Sequence, residues 1–117
     1  MIGRISARRE FEQLTRHGRR ARTASLWCRY LDEPGAAPPR VAFAIGRAVG
    51  PAVTRNRLRR RLRELVRAAV LSDPPLLPSG RLLIGAQPSA GELSFARLGS
   101  ELDQLLRAVR PPGTAPA

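Results

Sequence analysis

AVTRNRLRRRLRELVRAAVL, residues 52–71, is the stretch whose reading decides the fold. Leu58, Leu62, Leu65, Val66 and Ala69 follow one another at spacings of four, three, one and three, which is one buried stripe on a helix. At ~100° per residue, Arg59, Arg60, Arg63 and Arg67 fall on the opposite side, and Arg57 and Arg61 flank the stripe. Seven arginines in this stretch stand against Glu64 alone. An aliphatic stripe of this kind must be buried against other elements, so the segments on either side have to supply a core.

Downstream, Ser72-Asp73-Pro74-Pro75 ends the helix, and Pro78-Ser79-Gly80 turns the chain into an apolar strand, Arg81 to Ala86 (RLLIGA). Gln87-Pro88 closes that strand. Ser94 caps a last helix with Phe95, Leu98, Leu102, Leu105, Leu106 and Val109 at helical spacing, stopped by Pro111-Pro112. Residues 111–117 are expected to be a disordered tail. Upstream, Arg40 to Gly46 (RVAFAIG) is a largely apolar strand and therefore expected to be central. Ser25 to Leu31 is another, with Trp27, Arg29 and Leu31 on one face and Leu26, Cys28 and Tyr30 on the other. These two strands are expected to pair as an antiparallel hairpin across Pro34-Gly35 and Pro38-Pro39. Arg19, Arg20 and Arg22 read as a basic linker. Residues 7–17 form a short amphipathic helix with Ser6 as N-cap, Phe11, Leu14 and Thr15 on one face, and Gly18 as its stop. The order is α-β-β-(β)-α-β-α with one strand split or missed: an α+β fold, a small two-layer sandwich, with residues 1–110 as a single domain.

The whole chain has 117 residues and a formal net charge of +12. All 21 basic residues are arginine, and 17 of them, against five of the nine acids, lie in the first 70 positions. The excess charge therefore belongs to one part of the molecule, and such a part seeks a polyanion. One histidine (His17), one cysteine (Cys28) and scattered carboxylates exclude a zinc site, a disulfide framework and a Ser-His-Asp triad with spare partners. Cys28 reads as a small buried thiol. No window reaches the ~18 apolar residues of a spanning helix, and Met1-Ile2-Gly3-Arg4 does not open a signal peptide. A cytoplasmic location is expected.

The arginine helix can be a solvated face, a membrane-surface helix or a nucleic-acid helix. Like charges crowded this closely repel one another unless an acidic partner relieves them. The stripe contains only aliphatic residues of core type, with no Trp or Phe for a membrane. A DNA-reading helix-turn-helix would need an adjacent second helix, and strand-like segments bracket this one instead, so RNA is favoured. Single-stranded RNA is held by cations and by rings on which bases stack; Phe11, Trp27 and Tyr30 are the candidates, with core packing the competing role for Trp27 and the favoured one for Phe11.

The run Gly46-Arg47-Ala48-Val49-Gly50-Pro51-Ala52-Val53-Thr54-Arg55-Asn56-Arg57-Leu58-Arg59-Arg60-Arg61-Leu62-Arg63-Glu64 closely resembles the signature of the bacterial ribonuclease P protein subunit. In that family a G-x-A-V-x-R-N-R run opens a basic helix. The pattern E-F-x-x-L-x-x-x-G at Glu10 to Gly18, the strand RVAFAIG and A-x-P-S-A at Ala86 to Ala90 extend the resemblance over residues 4–110. The resemblance implies a protein partner of a catalytic RNA that removes the 5′ leader of precursor tRNA, with magnesium required by the RNA and no metal or other cofactor held by the protein. It also implies a left-handed β-α-β crossover, against the usual rule.

Carried over by residue, the resemblance assigns RNA binding to Arg47, Arg55, Asn56, Arg57, Arg59, Arg60, Arg61, Arg63 and Arg67. It assigns a cleft for the single-stranded leader to Phe11, Thr15, Trp27 and Arg29. Thr15 and Arg29 stand where the family often has aromatics, Ala48 where it has a basic residue and Pro51 where it has Asn. Trp27 and Arg29 are the expected replacements for the missing rings. His17, at the helix end, is expected to be exposed or capping. The implied partners are ribonuclease P RNA and the precursor-tRNA leader, with no membrane and no obligate protein partner. The alternatives are a ribosomal or translation-associated RNA-binding protein and a nuclease acting through its own side chains.

Overall fold

A computed structural model describes residues 3–4, 8–33, 39–72, 75–77 and 79–110. The elements in chain order are β1 (Gly3–Arg4), α1 (Arg8–His17), β2 (Arg19–Arg22), β3 (Leu26–Leu31), β4 (Arg40–Ala44), α2 (Ala52–Leu71), β5 (Arg81–Ala86) and α3 (Phe95–Val109). Short 3-10 turns at Arg47–Val49 and Pro88–Glu92 precede α2 and α3. The expected Ser6 cap, most of the proline turn (34–38), Asp73-Pro74 and the tail 111–117 lie outside the described residues.

The strands form one sheet in the order β1-β4-β5-β3-β2. β3 and β4 do not make the expected hairpin. β5 lies between them, antiparallel to β3 and parallel to β4. A two-period pattern states which face a residue occupies and says nothing of which strand lies beside it. β4 is interior to the sheet as expected, between the two-residue β1 and β5, and β5 is the middle strand, with Leu82 and Ile84 almost fully buried. The basic linker is an edge strand: Arg19, Arg20, Ala21 and Arg22 pair with Tyr30, Arg29, Cys28 and Trp27. Its charge hides the strand from a search for apolar alternation, and the same charge guards the edge against pairing with another chain.

Directly paired residues share a face, so the register sorts the side chains. Leu26, Cys28, Tyr30, Val41, Leu82 and Ile84 form the core face, and onto it pack Leu58, Leu62 and Val66 of α2 and Leu98, Leu102, Leu105, Leu106 and Val109 of α3. The stripe expected for α2 is confirmed, with Leu65 and Ala69 at its half-buried margin. Phe95 departs from the α3 stripe: residues 94–97 are all exposed, because the first turn of α3 stands beyond the core. Ser94 caps that turn as expected, its hydroxyl accepting from the Arg97 amide at 3.1 Å.

Helix α1 lies across the opposite face. Leu14, its one fully buried side chain, stands outside the main core cluster. Polar contacts pin α1 strand by strand: Glu10 pairs with Arg40 of β4, Gln13 accepts from Arg81 of β5, and Arg29 of β3 donates to the Thr15 carbonyl at 3.2 Å. Helix α1 therefore crosses one end of the sheet and leaves the other end of that face open. On the core side, the buried Glu101 carboxylate accepts from the Ser25 amide at 2.9 Å and from the Thr23 hydroxyl, which ties α3 to the turn between β2 and β3. A buried carboxylate is tolerated only when it is bonded in this way.

Candidate nucleic-acid interface

Two basic surfaces emerge from this packing. The first is α2. With its aliphatic stripe committed to the core, Arg57, Arg60, Arg63 and Arg67 are exposed, and Arg59 and Arg61 are half-buried along its flanks. Among the described residues, no arginine of α2 is in an ion pair. Arg47 is exposed in the turn leading into the helix. Arg55 is half-buried and donates through Nε to the Gly50 carbonyl at 3.2 Å, which braces the turn at the start of α2. Gly50 has φ +148, a region that favours glycine. Asn56 is exposed, and its Oδ1 accepts from Arg59 at 3.1 Å, so its amide nitrogen remains as the outward donor.

The second surface is the open end of the sheet face. Its rows run across four strands: Arg22, Trp27, Gly85 and Ala44 in one, and Arg20, Arg29, Leu83 and Ala42 in the next. A third row, Leu31, Arg81 and Arg40, lies under α1. There the acids are already used, Glu10 on Arg40 and Glu33 on Arg81, the latter a two-pronged pair with N–O distances of 3.0 and 3.1 Å. The Arg81 hydrogen bond holds the Glu33 carboxyl below the usual carboxylate range. Among the described residues, Arg20, Arg22 and Arg29 have no such acid, so the open end of the face keeps its positive charge.

Arg20, Arg22, Trp27, Arg29 and Gln87 line a groove of about 510 Å³. Its floor depends on Gly85. A Cβ there would stand 1.9 Å from Cε2 of Trp27, so the indole lies directly over the glycine backbone of the neighbouring strand. Phe11 is half-buried on α1, and Thr15 is exposed with its hydroxyl donating back to the Phe11 carbonyl at 3.0 Å. The Arg29–Thr15 bond joins these two to the groove. Of the four residues expected in a cleft, Thr15 and Arg29 are joined where α1 meets the sheet, Trp27 lies in the next row of the open end, and Phe11 is one turn back on α1.

Tyr30 is not available for stacking. It is on the core face, 0% exposed, and its hydroxyl donates to the Ser79 carbonyl at 2.5 Å. Burial and the neighbouring Asp32 push its pKa up. Burial also pushes the Cys28 thiol up to about 11, the property of an inert core cysteine. His17 is exposed in the last turn of α1. Arg20, Arg22, Gln87 and Gly85 carry the groove without having been singled out from sequence. The alternation RRAR, with the small Ala21 between charges, was the available signal. Among the described residues, no group of three or more His, Cys, Asp or Glu is gathered to hold a metal ion, and no helix is long and apolar enough to cross a membrane.

Fold and charge together define a class: a small α+β protein that presents two unneutralised arginine surfaces to a polyanion, one on a helix and one on a sheet. Comparison with known proteins gives the family, since residues 3–110 match Ribonuclease P. The chain is 44% identical to the ribonuclease P protein component of Thermobifida fusca, over 93% of this chain and 77% of that protein. It is 41% identical to that of Mycobacterium avium, over 97% and 95%. The ribonuclease P protein of Staphylococcus aureus superposes with a TM-score of 0.79 at 16% identity, over 95% of this chain and 100% of that one. The protein from Thermotoga maritima gives 0.76 at 21% identity, over 92% and 98%. The chain belongs to the ribonuclease P protein family. Its role is that of the protein subunit of a ribonucleoprotein endoribonuclease that processes the 5′ ends of tRNA.

Proposed function

We propose that the two surfaces divide the work, within a single RNA-binding domain spanning residues 1–110. Arg47, Arg55, Asn56, Arg57, Arg59, Arg60, Arg61, Arg63 and Arg67 hold the catalytic RNA subunit of ribonuclease P. Phe11, Thr15, Trp27 and Arg29 receive the 5′ leader of precursor tRNA as a single strand. The observation that supports this reading is the lack, among the described residues, of any acidic partner for the α2 arginines, which leaves a row of guanidinium groups for phosphates. A base can stack on Trp27 and on the Arg29 plane, and Phe11 supplies a ring from the α1 side. The cleavage chemistry belongs to the RNA and to the magnesium ions it requires; the protein holds RNA and leader together and acts in the cytoplasm with no obligate protein partner.

The test is cleavage of precursor tRNA by the cognate RNA subunit at low magnesium, with and without this protein. Strong stimulation is the expected result, and it should fade as salt rises because each neutralised phosphate releases counterions. Absence of stimulation by protein shown to be folded overturns the proposal.

A further inference from the structure

Resting on the leader-binding reading above, we infer that the leader site extends beyond Trp27 to the β2 edge of the sheet. There Arg20, Arg22 and Gln87 form a subsite for one further stacked nucleotide and its flanking phosphates. The register carries the argument. Arg22 is directly across from Trp27, and Arg20 directly across from Arg29, on the same face. Both edge arginines are exposed and have no acidic partner among the described residues. Helix α1 covers the strand ends at Arg40 and Arg81 and its Thr15 carbonyl bounds the groove at Arg29, so an extended strand in this groove runs across the β-strands, parallel to the rows.

At ~4.8 Å between strands, the row from Ala44 to Arg22 covers about 14 Å, room for a few nucleotides. Ala44 and Gly85 leave the backbone low, Trp27 covers Gly85 as a flat platform, and Arg22 ends the row with a phosphate-binding fork. Gln87 is on the groove wall, half-buried; its amide offers both a donor and an acceptor to a base edge, which an arginine cannot do. Its backbone N–H donates to the Ser25 carbonyl at 2.9 Å, fixing it beside the β2–β3 turn.

The experiment measures affinity of the reconstituted ribonucleoprotein for two precursor tRNAs, one with a leader long enough to cross the sheet and one cut back to about one nucleotide. The protein variants are Arg20→Gln with Arg22→Gln, Gln87→Ala, and, on the α1 side, Phe11→Ala. The edge double variant should lose about ten-fold in affinity for the long leader and nothing for the short one, with its melting temperature unchanged. Arg22→Lys should recover part of the loss. Equal losses for both leaders, or none, overturn the subsite. If Phe11→Ala alone discriminates the leaders, the cleft stands and only its extension fails; if no variant does, the leader reading fails with it.

Discussion

Helix α2 and the open end of the sheet are both arginine-rich and both unneutralised, yet they present charge in different ways. On α2, charge is periodic and convex: one helix face is committed to the core, and every other face carries guanidinium groups that can reach phosphates from several directions. On the sheet, charge is concave and ordered in rows, with Trp27 held over Gly85 between the edge arginines and α1. A convex cationic helix suits a folded RNA, whose phosphates lie on its outside. A groove with a ring at its floor suits a strand whose bases are unpaired. The lesson is that net charge says what a surface attracts, and the arrangement of apolar groups around the charge says in what form.

Breaking the sheet surface without touching α2 should give the largest change. Leu14 is the buried anchor of α1 over the sheet, so Leu14→Ala should cost about 2–5 kcal/mol of stability, read by chemical denaturation. The surviving folded protein should lose leader discrimination while still binding the RNA subunit. The converse is Arg60→Ala, Arg63→Ala and Arg67→Ala together: about 1 kcal/mol each, so roughly a hundred-fold in affinity for the RNA subunit. The slope of log affinity against log salt should fall by about three. An unchanged slope would show that this face of α2 touches no phosphate.

Gly85→Ala sharpens the comparison further. The added methyl must displace the indole, so the intrinsic tryptophan emission should shift, and leader affinity should fall by about 1–3 kcal/mol if a base stacks there. RNA-subunit binding should stay as it is. A smaller effect separates the two faces of β3. Cys28, next to Trp27 but on the core side, has a thiol raised from 9.0 to about 11. A raised folded-state pKa on an acid means that stability is present below pH 9 and falls as the pH climbs from about 9 to about 11. Thiol-reagent kinetics at neutral pH should therefore be slow in the native protein and fast in denaturant. The smallest change is expected of Glu64→Gln, the one acid within the arginine helix. It should leave cleavage within about two-fold if, as proposed, the catalytic groups belong to the RNA. A loss of many orders of magnitude in folded protein would place catalysis on the protein after all.

The α2 surface was legible from sequence nearly whole. A helix generates its own faces, so the spacing of Leu58, Leu62 and Val66 was enough to place Arg60, Arg63 and Arg67 outside. Arg55 was legible only as part of a motif; its bond to the Gly50 carbonyl shows that it also braces the chain that presents the motif. For the sheet, alternation placed Trp27 and Arg29 on one face and Tyr30 on the other, and the structure confirms the division while removing Tyr30 from the surface.

The sequence by itself determined the α+β class, the extent of α2, the capped start of α3, the concentration of charge in the first 70 residues and the family signature. Each of these depends on residues close together in the chain. Only the tertiary structure decided that β5 separates β3 from β4, that RRAR is an edge strand, and that α1 crosses the sheet and consumes Glu10 on Arg40. It also decided that Gly85 makes room for Trp27, a contact between residues 58 positions apart in the chain. Strand partnership depends on backbone hydrogen bonds and on how much apolar area each arrangement buries. Neither is written in the order of residues along a single strand.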